Sequence, residues 1–316
     1  MVNQRALLIG INDYQSINDL KGCINDVVNM RDCLMTYRGF NNYNTRVVLD
    51  SRATADNVKA RMEWLKEGAG PGDSLFLHFS GHGSQIRDRD GDELKDHKDE
   101  IICLYGMNWD EGFITDDYFD EWFSTIPEGV VVDVFFDCCN SGTGEGISSK
   151  SILEETSSEM RNRYLEPPLD IALRAEGEKL PVKRMAVASF LSSWFSFLAP
   201  TPVPELEEVV DTELASVEEP DASIVEETVS ASNTNSKNIV VWSGCGEAQT
   251  SADAYIGGKY NGAFTYFWCK HMRDSGGNLS RAELLKRVKT SLTSSRFTQV
   301  PELTCNELSS THKVLY

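Results

Sequence analysis

Two short segments of the chain combine a reactive side chain with small, flexible residues. One is SGHGS, which contains His82, and the other is DCCNSGTG, which contains Cys138 and Cys139. A cysteine thiol becomes a nucleophilic thiolate when a base such as histidine lies beside it. The backbone N–H groups around Gly83 and Cys139 would bind the negative oxygen that forms during attack on a carbonyl group. These residue types therefore indicate acyl transfer through a cysteine nucleophile.

Both segments follow apolar runs that predict buried strands, at 74–80 and 130–137. In open α/β sheets the functional site forms beyond the carboxyl ends of the strands, so the two segments are expected to meet there. The alternative is that His82 is an ordinary loop histidine and that the two cysteines fill the core. The presence of both motifs, each at a strand end, favours the catalytic interpretation.

The rest of the chain alternates between apolar strands and amphipathic helices. Further strands are predicted at 6–11, 46–49, 100–105 and 238–244, and helices near 22–37, 262–272 and 281–294. Ser280 and Glu283 form a capping-box pattern before the last helix, whereas residues 81–100 are polar and rich in turn formers. This alternation predicts an α/β fold with a largely parallel central sheet flanked by helices.

The charge balance of the 316 residues argues against nucleic acid and acidic lipids as partners. There are 49 Asp and Glu residues against 30 Lys and Arg, a formal net charge of −19, and such a surface repels phosphate groups. No apolar run reaches the roughly 18 residues that a membrane span needs. The eight cysteines include no CxxC pair, which argues for reduced thiols and against a zinc site or a disulfide framework. We therefore expect a cytoplasmic protein with no membrane span.

An acidic segment divides the chain into three predicted parts. Residues 201–236 contain ten acidic and no basic residues, a composition typical of a solvated loop or a disordered insertion. The predicted parts are a catalytic region at 1–147, an intervening insertion at 148–237, and a C-terminal region at 238–316 that completes the same domain.

The motif SGHGS followed by DCCNSGTG resembles the pattern of the metacaspases and orthocaspases, which are caspase-like cysteine peptidases. Other segments match in family order across residues 5–147 and 238–305, namely GIN with Tyr14, KGCIND, DEII, ITDD, SGC, QTSA, GAFT and QVPEL. The resemblance implies a caspase-like fold. It also implies a His82/Cys139 dyad, because the family nucleophile is the second residue after the aspartate. Cys138 is then expected to be a packing residue, and the alternative is a redox partner or a second nucleophile.

The resemblance further implies a monomeric enzyme whose peptide and protein substrates carry arginine or lysine before the scissile bond. The residues that match the family's specificity pocket are Cys23, Asp26, Ser80 and Asp137. A buried cationic side chain needs a carboxylate partner, and arginine favours paired acceptors. In the alternative interpretation Asp26 is a helix N-terminal charge and Asp137 only braces its loop.

A calcium site is another implication of the resemblance. Its ligands match Asp99, Asp116 and Asp117, and carboxylate oxygens gathered from two loops suit calcium. The family's fourth ligand position is occupied here by Gly146, with Glu145 beside it. The sequence therefore leaves open whether the three acids are calcium ligands or solvated turn residues. The dyad chemistry itself requires no cofactor.

The resemblance also implies that the chain cuts itself between its two halves. Candidate bonds follow basic residues, at Lys150, Arg161, Arg163, Arg174, Lys179, Lys183, Arg184 or Lys237, because residues 185–236 contain no lysine or arginine. The leading hypothesis is a self-processing cysteine endopeptidase that forms a thioester acyl-enzyme. The alternative is a non-catalytic caspase-like module that binds calcium or a partner through the acidic insertion.

Overall fold

The fold is built on a central sheet whose strands carry the two motifs at their ends. The computed structural model describes residues 3–15, 17–87, 98–138, 160–168, 171, 229–230, 238–246 and 249–315, which belong to one unit spanning 1–175 and 227–316. Within these ranges the strands are β1 (Gln4–Gly10), β2 (Thr45–Leu49), β3 (Ser74–Ser80), β4 (Gly83–Arg87), β5 (Lys98–Cys103), β6 (Phe113–Thr115), β7 (Val131–Asp137), β8 (Arg161–Asn162), β9 (Val229–Ser230), β10 (Asn238–Ser243), β11 (Ala252–Ile256), β12 (Lys259–Gly262) and β13 (Glu302–Thr304). The helices are α1 (Cys23–Arg38), α2 (Ala55–Lys66), α3 (Asp116–Ser124), α4 (Ala263–Asp274), α5 (Arg281–Ser294) and α6 (Glu307–Thr311).

The central sheet has seven strands in the order β2-β1-β3-β7-β10-β13-β9. All neighbouring pairs are parallel except β10 and β13. Two three-stranded sheets, β12-β11-β8 and β4-β5-β6, accompany it. The predicted class, an α/β fold with a largely parallel central sheet flanked by helices, is confirmed.

Both faces of the central sheet are covered, which explains why its strands read as continuous apolar runs. All seven residues of β3 are buried, and successive side chains point to opposite faces. One apolar layer joins the sheet to α2 and α3 and includes Leu77, Val134, Met62 and Trp122. The other joins it to α1, α4 and α5 and includes Phe76, Phe135, Val27, Trp268 and Leu284.

Helix α1 lies close against the end of β1, and a glycine makes this approach possible. A Cβ atom on Gly10 would lie 2.7 Å from Val27 Cγ2 and 2.8 Å from the Cys23 carbonyl oxygen, so a residue with a side chain would push the helix away. The close packing keeps the first turn of α1, which contains Asp26, beside the carboxyl end of the sheet.

A buried ion pair ties the C-terminal residues to the central sheet. Arg281, the first residue of α5, donates from Nη2 to Asp133 Oδ2 at 2.7 Å and from Nε to Asp133 Oδ1 at 3.0 Å, and both side chains are completely buried. The same carboxylate accepts from Trp242 Nε1 at 3.0 Å and from the Leu315 backbone N–H at 2.8 Å. The buried charge of Asp133 is therefore both paired and hydrogen-bonded, as such a charge requires.

Most of the acidic segment 201–236 lies outside the described residues. Val229 and Ser230 are described, as β9, which pairs with β13. Within the described ranges, the helices include none that is long and apolar enough to cross a bilayer. The division of the chain into 1–147, 148–237 and 238–316, the cytoplasmic location and the monomeric state stay predictions.

Candidate active site

The structure brings the four residues of the predicted specificity pocket, Cys23, Asp26, Ser80 and Asp137, together, and all four are completely buried. Ser80 and Asp137 are the last residues of β3 and β7, which pair in register with Ser80 opposite Asp137. Ser80 Oγ donates to Asp26 Oδ2 at 2.8 Å. Cys23 lies one turn before Asp26 on α1, and burial raises the pKa of its thiol. Two strand ends and one helix therefore supply the pocket.

An arginine of the same chain, Arg163, fills the pocket and is completely buried. Its Nη2 atom lies 2.7 Å from Asp26 Oδ2, and its Nη1 atom lies 3.2 Å from Asp137 Oδ1. Nη1 also donates to Ser80 Oγ and to the Asp137 carbonyl oxygen, each at 2.9 Å. A third carboxylate, that of Asp253 on β11, lies 3.4 Å from Nη2. The pocket therefore binds a guanidinium group through both terminal nitrogens.

The pocket holds more negative than positive charge, because three carboxylates surround one guanidinium group. Burial, with repulsion from Asp137, raises the pKa of Asp26 to about 7 despite the attraction of Arg163. Burial also disfavours the charged form of Arg163, but the surrounding carboxylates outweigh it and hold the pKa of Arg163 well above its usual value. Since a buried charge is costly unless it is paired, the pocket is matched to a cation.

The two central carboxylates are held by donors at the start of α4, where the helix dipole favours negative charge. The backbone N–H of Gly262 donates to both carboxylate oxygens of Asp26, at 2.9 and 3.0 Å. Asp137 Oδ2 accepts from the Thr265 backbone N–H at 3.0 Å and from the Thr265 hydroxyl at 2.6 Å, while Oδ1 accepts from Ser251 Oγ at 2.6 Å. The carboxylates are thus positioned independently of the arginine that they bind.

Two glycines leave room for the guanidinium group. A Cβ atom on Gly262 would overlap Asp137 Oδ2 and Arg163 Nη1, and a Cβ atom on Gly22 would overlap Asp253 Oδ1. Neither overlap is relieved without moving a pocket carboxylate or the guanidinium group. The free volume of the pocket therefore depends on two positions without side chains.

His82 follows β3 and is held at both its backbone and its ring. Its backbone N–H donates to Tyr14 Oη at 2.8 Å, and ring Nε2 lies 2.7 Å from the Asn18 carbonyl oxygen. A carbonyl oxygen only accepts, so Nε2 carries the proton and Nδ1 is the basic nitrogen. Nδ1 is buried and has no hydrogen-bond partner within the described ranges. Burial lowers the pKa of His82, which keeps the ring neutral at pH 7.

The backbone around Arg163 lies extended between two strand edges. Arg163 donates its N–H to the Ser251 carbonyl oxygen at 3.1 Å, and its own carbonyl oxygen accepts from the Gly83 N–H at 2.9 Å. Just before Arg163, β8 pairs antiparallel with β11. Gly83, predicted as an oxyanion donor, therefore contacts a backbone carbonyl group of its own chain.

The predicted nucleophile Cys139 lies outside the described residues, together with its N–H group, so its part in the dyad and in the oxyanion site stays a prediction. The neighbouring Cys138 is buried in the core, and burial raises the pKa of its thiol well above the usual value. Its carbonyl oxygen accepts from Cys245 Sγ at 3.6 Å. A thiol in such surroundings is a poor nucleophile.

The three predicted calcium ligands lie on neighbouring elements. Asp99 is buried on β5, and Asp116 and Asp117 open the first turn of α3. Burial raises the pKa of Asp116 to about 6. In the part of the chain that the structure describes, no three His, Cys, Asp or Glu side chains are grouped so that they could hold a metal ion. The three carboxylates alone do not fit a calcium site, and Glu145 and Gly146 lie outside the described residues.

Two contributors to this site are absent from the sequence predictions. Asp253 is not among the predicted pocket residues, and Arg163 is predicted only as one of several candidate cleavage positions. A signal for Asp253 exists, because Gly257 and Gly258 indicate a tight hairpin turn directly after the strand that carries it. The sequence contains no comparable signal for the pocket contacts of Arg163.

Comparison with known proteins identifies relatives of this chain. A family model described as "Metacaspase, peptidase C14 domain" matches residues 4–146. Metacaspase-1 from Pyricularia oryzae is 31% identical over 320 residues, which cover 99% of this chain and 74% of the relative. Metacaspase-1B from Neosartorya fischeri is 31% identical over 313 residues, which cover 96% of this chain and 69% of the relative.

Among solved structures, the crystal structure of a protein from Geobacter sulfurreducens resembles this fold. The match has a TM-score of 0.59 and covers 99% of this chain and 100% of the other. The two sequences are 21% identical, so this likeness shows a shared fold alone.

Proposed function

The chain belongs to the metacaspases, a family of caspase-like cysteine peptidases, and on that premise we propose that it is an endopeptidase that cuts after arginine or lysine. The observation that carries the proposal is the pocket around Arg163, in which three carboxylates and a serine hydroxyl contact one guanidinium group. An arginine side chain of a substrate would make the same contacts. An acidic side chain would be repelled by the same carboxylates.

In the proposed reaction His82 acts first as a base and then as an acid. Its Nδ1 atom takes the proton of the Cys139 thiol, and the sulfur attacks the carbonyl carbon before the scissile bond. The Gly83 N–H donates to the oxygen on which negative charge develops. His82 then gives its proton to the leaving amine, and water hydrolyses the thioester that remains.

Arginine is expected to be the better substrate. A guanidinium group reaches Asp26 through one nitrogen while it reaches Asp137 and Ser80 through the other, whereas lysine has a single nitrogen. A charge-assisted hydrogen bond contributes about 1.5–3 kcal/mol, and about 1.4 kcal/mol is a factor of ten. We therefore expect kcat/KM for an arginine peptide to exceed that for the matching lysine peptide about tenfold or more.

Fluorogenic peptides that end in arginine, lysine or aspartate before the reporter group test the proposal. The wild type should hydrolyse the first two and not the third, and Cys139→Ala and His82→Ala should abolish turnover. Cys138→Ala is the matched control, since it removes the adjacent thiol and should leave the enzyme active. Equal turnover by wild type and Cys139→Ala would refute the dyad, whereas no turnover of any peptide by the wild type would favour a non-catalytic module. Hydrolysis of the aspartate peptide would refute the specificity.

Calcium dependence is tested with the same peptides. The proposed chemistry uses no cofactor, because His82 and Cys139 supply both the base and the nucleophile. A calcium requirement implied by the resemblance would appear as activity that is lost in a chelator and restored by calcium in the wild type, but not in Asp116→Asn. Activity that is unchanged by the chelator would show that the enzyme does not require calcium.

A further inference from the structure

Helices α1 and α4 pack side by side, and polar side chains line part of the contact between them. Asn29 Nδ2, on α1, donates to Asn261 Oδ1, just before α4, at 3.0 Å. One turn further along α1, Cys33 contacts Cys269 on α4. Both contacts advance in the same direction along the two helices, so the helices run parallel. The two cysteines are buried at this contact, and both are free of disulfides.

The two thiols are hydrogen-bonded to each other as well as to the backbone. Cys33 Sγ donates to the Cys269 carbonyl oxygen at 3.7 Å, and the Cys269 thiol donates to the Cys33 sulfur. This bond from Cys269, helped by the charges of Arg273 and Arg38, lowers the pKa of Cys33 although burial opposes it. Burial and the same contact raise the pKa of Cys269 well above its usual value. Cys33 is therefore the thiol that ionises, and Cys269 keeps its proton.

The lowered pKa distinguishes Cys33 from other cysteines of the described part of the chain. Burial raises the pKa of the thiols of Cys23, Cys103, Cys138, Cys269 and Cys305. Peroxides react with the thiolate form of cysteine, so oxidation selects a thiol whose pKa is lowered. A second thiol beside the first one then completes a disulfide. The contact of Cys33 with Cys269 supplies both requirements.

The side chain of Arg273 separates this thiol pair from solvent. Arg273 lies one turn after Cys269 on α4, and Asn29 lies one turn before Cys33 on α1. Arg273 Nη2 donates to Asn29 Oδ1 at 3.1 Å, so the side chain runs back along the helix contact past the two sulfurs. Arg273 itself is exposed. Rotation of this one long side chain admits a molecule as small as hydrogen peroxide without any change of the fold.

We propose that Cys33 and Cys269 form a peroxide-reactive pair, whose two thiols are converted by hydrogen peroxide into a disulfide between α1 and α4. The Cys33 sulfur attacks one peroxide oxygen, the O–O bond breaks, and the other oxygen leaves as water with the proton of Cys33. Cys33 is then a sulfenic acid. The Cys269 sulfur attacks the Cys33 sulfur, the S–O bond breaks, and the oxygen leaves as a second water with the proton of Cys269. The peroxide is reduced, and the two thiols are oxidised.

The disulfide would join the two helices that hold the carboxylates of the pocket. Asp26 lies in the first turn of α1, and Thr265, which donates to Asp137, lies in the first turn of α4. A disulfide between distant parts of the chain stabilises the folded state, so oxidation should raise the Tm. In a reducing compartment such a bond is transient, and it therefore records exposure to peroxide reversibly. The inference uses no residue of the proposed dyad.

The test treats the reduced full-length chain with hydrogen peroxide and maps its disulfides by mass spectrometry of peptides. All samples carry Cys139→Ala, so that the predicted nucleophile does not consume the oxidant. We expect a disulfide between Cys33 and Cys269 that dithiothreitol reverses. Cys269→Ser should instead retain a sulfenic acid on Cys33, which dimedone labels, whereas Cys33→Ser should leave Cys269 unlabelled. Cys305→Ser is the matched control, since it removes a different buried thiol and should form the disulfide at the normal rate.

Two further measurements test the activation of Cys33 and the fit of the disulfide. Arg273→Met keeps a long side chain and removes its charge, so it should slow the oxidation about tenfold, as a rise of one unit in the pKa of a thiol would. Lys270→Met removes an exposed charge of the same helix and should not. The oxidised protein should have a Tm about 5 °C or more above that of the reduced protein.

Four results would overturn the inference in samples that thermal unfolding shows to be folded. The first is that peroxide forms no disulfide between Cys33 and Cys269, whether or not it joins another pair such as Cys138 and Cys245. The second is that dimedone labels Cys269 in Cys33→Ser but does not label Cys33 in Cys269→Ser. The third is equal oxidation rates in Arg273→Met and Lys270→Met. The fourth is a lower Tm in the oxidised protein, because the two thiols would then not lie in place for a bond.

Discussion

Replacing Asp26 with asparagine should weaken the binding of an arginine substrate while the shape of the pocket is preserved. Asp26 Oδ2 lies 2.7 Å from the guanidinium group, whereas the other two carboxylates lie at 3.2 and 3.4 Å. One charge-assisted hydrogen bond contributes about 1.5–3 kcal/mol. Because about 1.4 kcal/mol is a factor of ten, kcat/KM for an arginine peptide should fall about 10- to 150-fold.

The matched control for this change is Asp253→Asn. It removes the same charge from the same pocket at 3.4 Å, a distance at which a hydrogen bond is weak, so the fall in kcat/KM should be smaller. Both substitutions are made in an Arg163→Gln background, which leaves the pocket open. The assay is run at pH 8, above the pKa of about 7 that Asp26 has when a guanidinium group fills the pocket, so that Asp26 is largely ionised in the substrate complex.

The division of the effect between KM and kcat is part of this prediction. The contact with Asp26 is made in the bound substrate as well as in the transition state, so KM should carry most of the change. Thermal unfolding shows whether each variant is folded. A larger loss in Asp253→Asn than in Asp26→Asn, or a fall in kcat at unchanged KM, would refute this account of the pocket.

The pH profile, a pocket glycine and the buried C-terminal ion pair each give a further prediction. Below pH 7 Asp26, with a pKa of about 7, takes up a proton and loses its attraction for a cation, so kcat/KM for an arginine peptide should fall from pH 8 to pH 6; a fall of the same size in Asp26→Asn would contradict this. Gly262→Ala should lower kcat/KM about tenfold, since its Cβ atom would overlap a pocket carboxylate, and Gly70→Ala, where there is open space, should not. Arg281→Met should lower the free energy of unfolding by about 3–5 kcal/mol, because it leaves Asp133 buried without its cation. Urea denaturation measures this change, and a loss below about 1 kcal/mol would show that the ion pair contributes little to stability.

The strand ends that carry the site can be predicted from the sequence, because the residues that indicate them are neighbours along the chain. β3 and β7 are continuous apolar runs, as expected of strands covered on both faces, and each ends in small polar residues. Parallel pairing in register then places Ser80 beside Asp137. The capping box of Ser280 and Glu283 is also a local pattern, and the structure confirms it.

Three strands near the site, β4, β11 and β12, cannot be predicted from apolar periodicity because their sequences are not apolar. β4, Gly83–Arg87, falls in a stretch that reads as turn-rich, yet it forms a strand by antiparallel pairing with β5. β11 and β12 contain small and polar residues, so periodicity does not reveal them. Their connection, Gly257 and Gly258, has φ values of 64° and 88°, as the two central residues of a type I′ hairpin turn require.

The place of Arg163 in the pocket could not be predicted from the sequence. It contacts Asp26 from 137 residues away and Asp137 from 26 residues away, and no local pattern distinguishes it from the other basic residues between 148 and 237. Such a contact is decided by the path of the folded chain rather than by the residues next to it.

The pocket contains three carboxylates and binds one cation, so the binding of a peptide should be coupled to the release of a proton. When the pocket holds no cation, the Asp26 carboxylate retains a proton, because burial and the neighbouring negative charge of Asp137 raise its pKa. Binding of an arginine side chain releases that proton, so peptide binding lowers the pH of an unbuffered solution. Titration calorimetry in two buffers with different heats of ionisation would record this exchange directly.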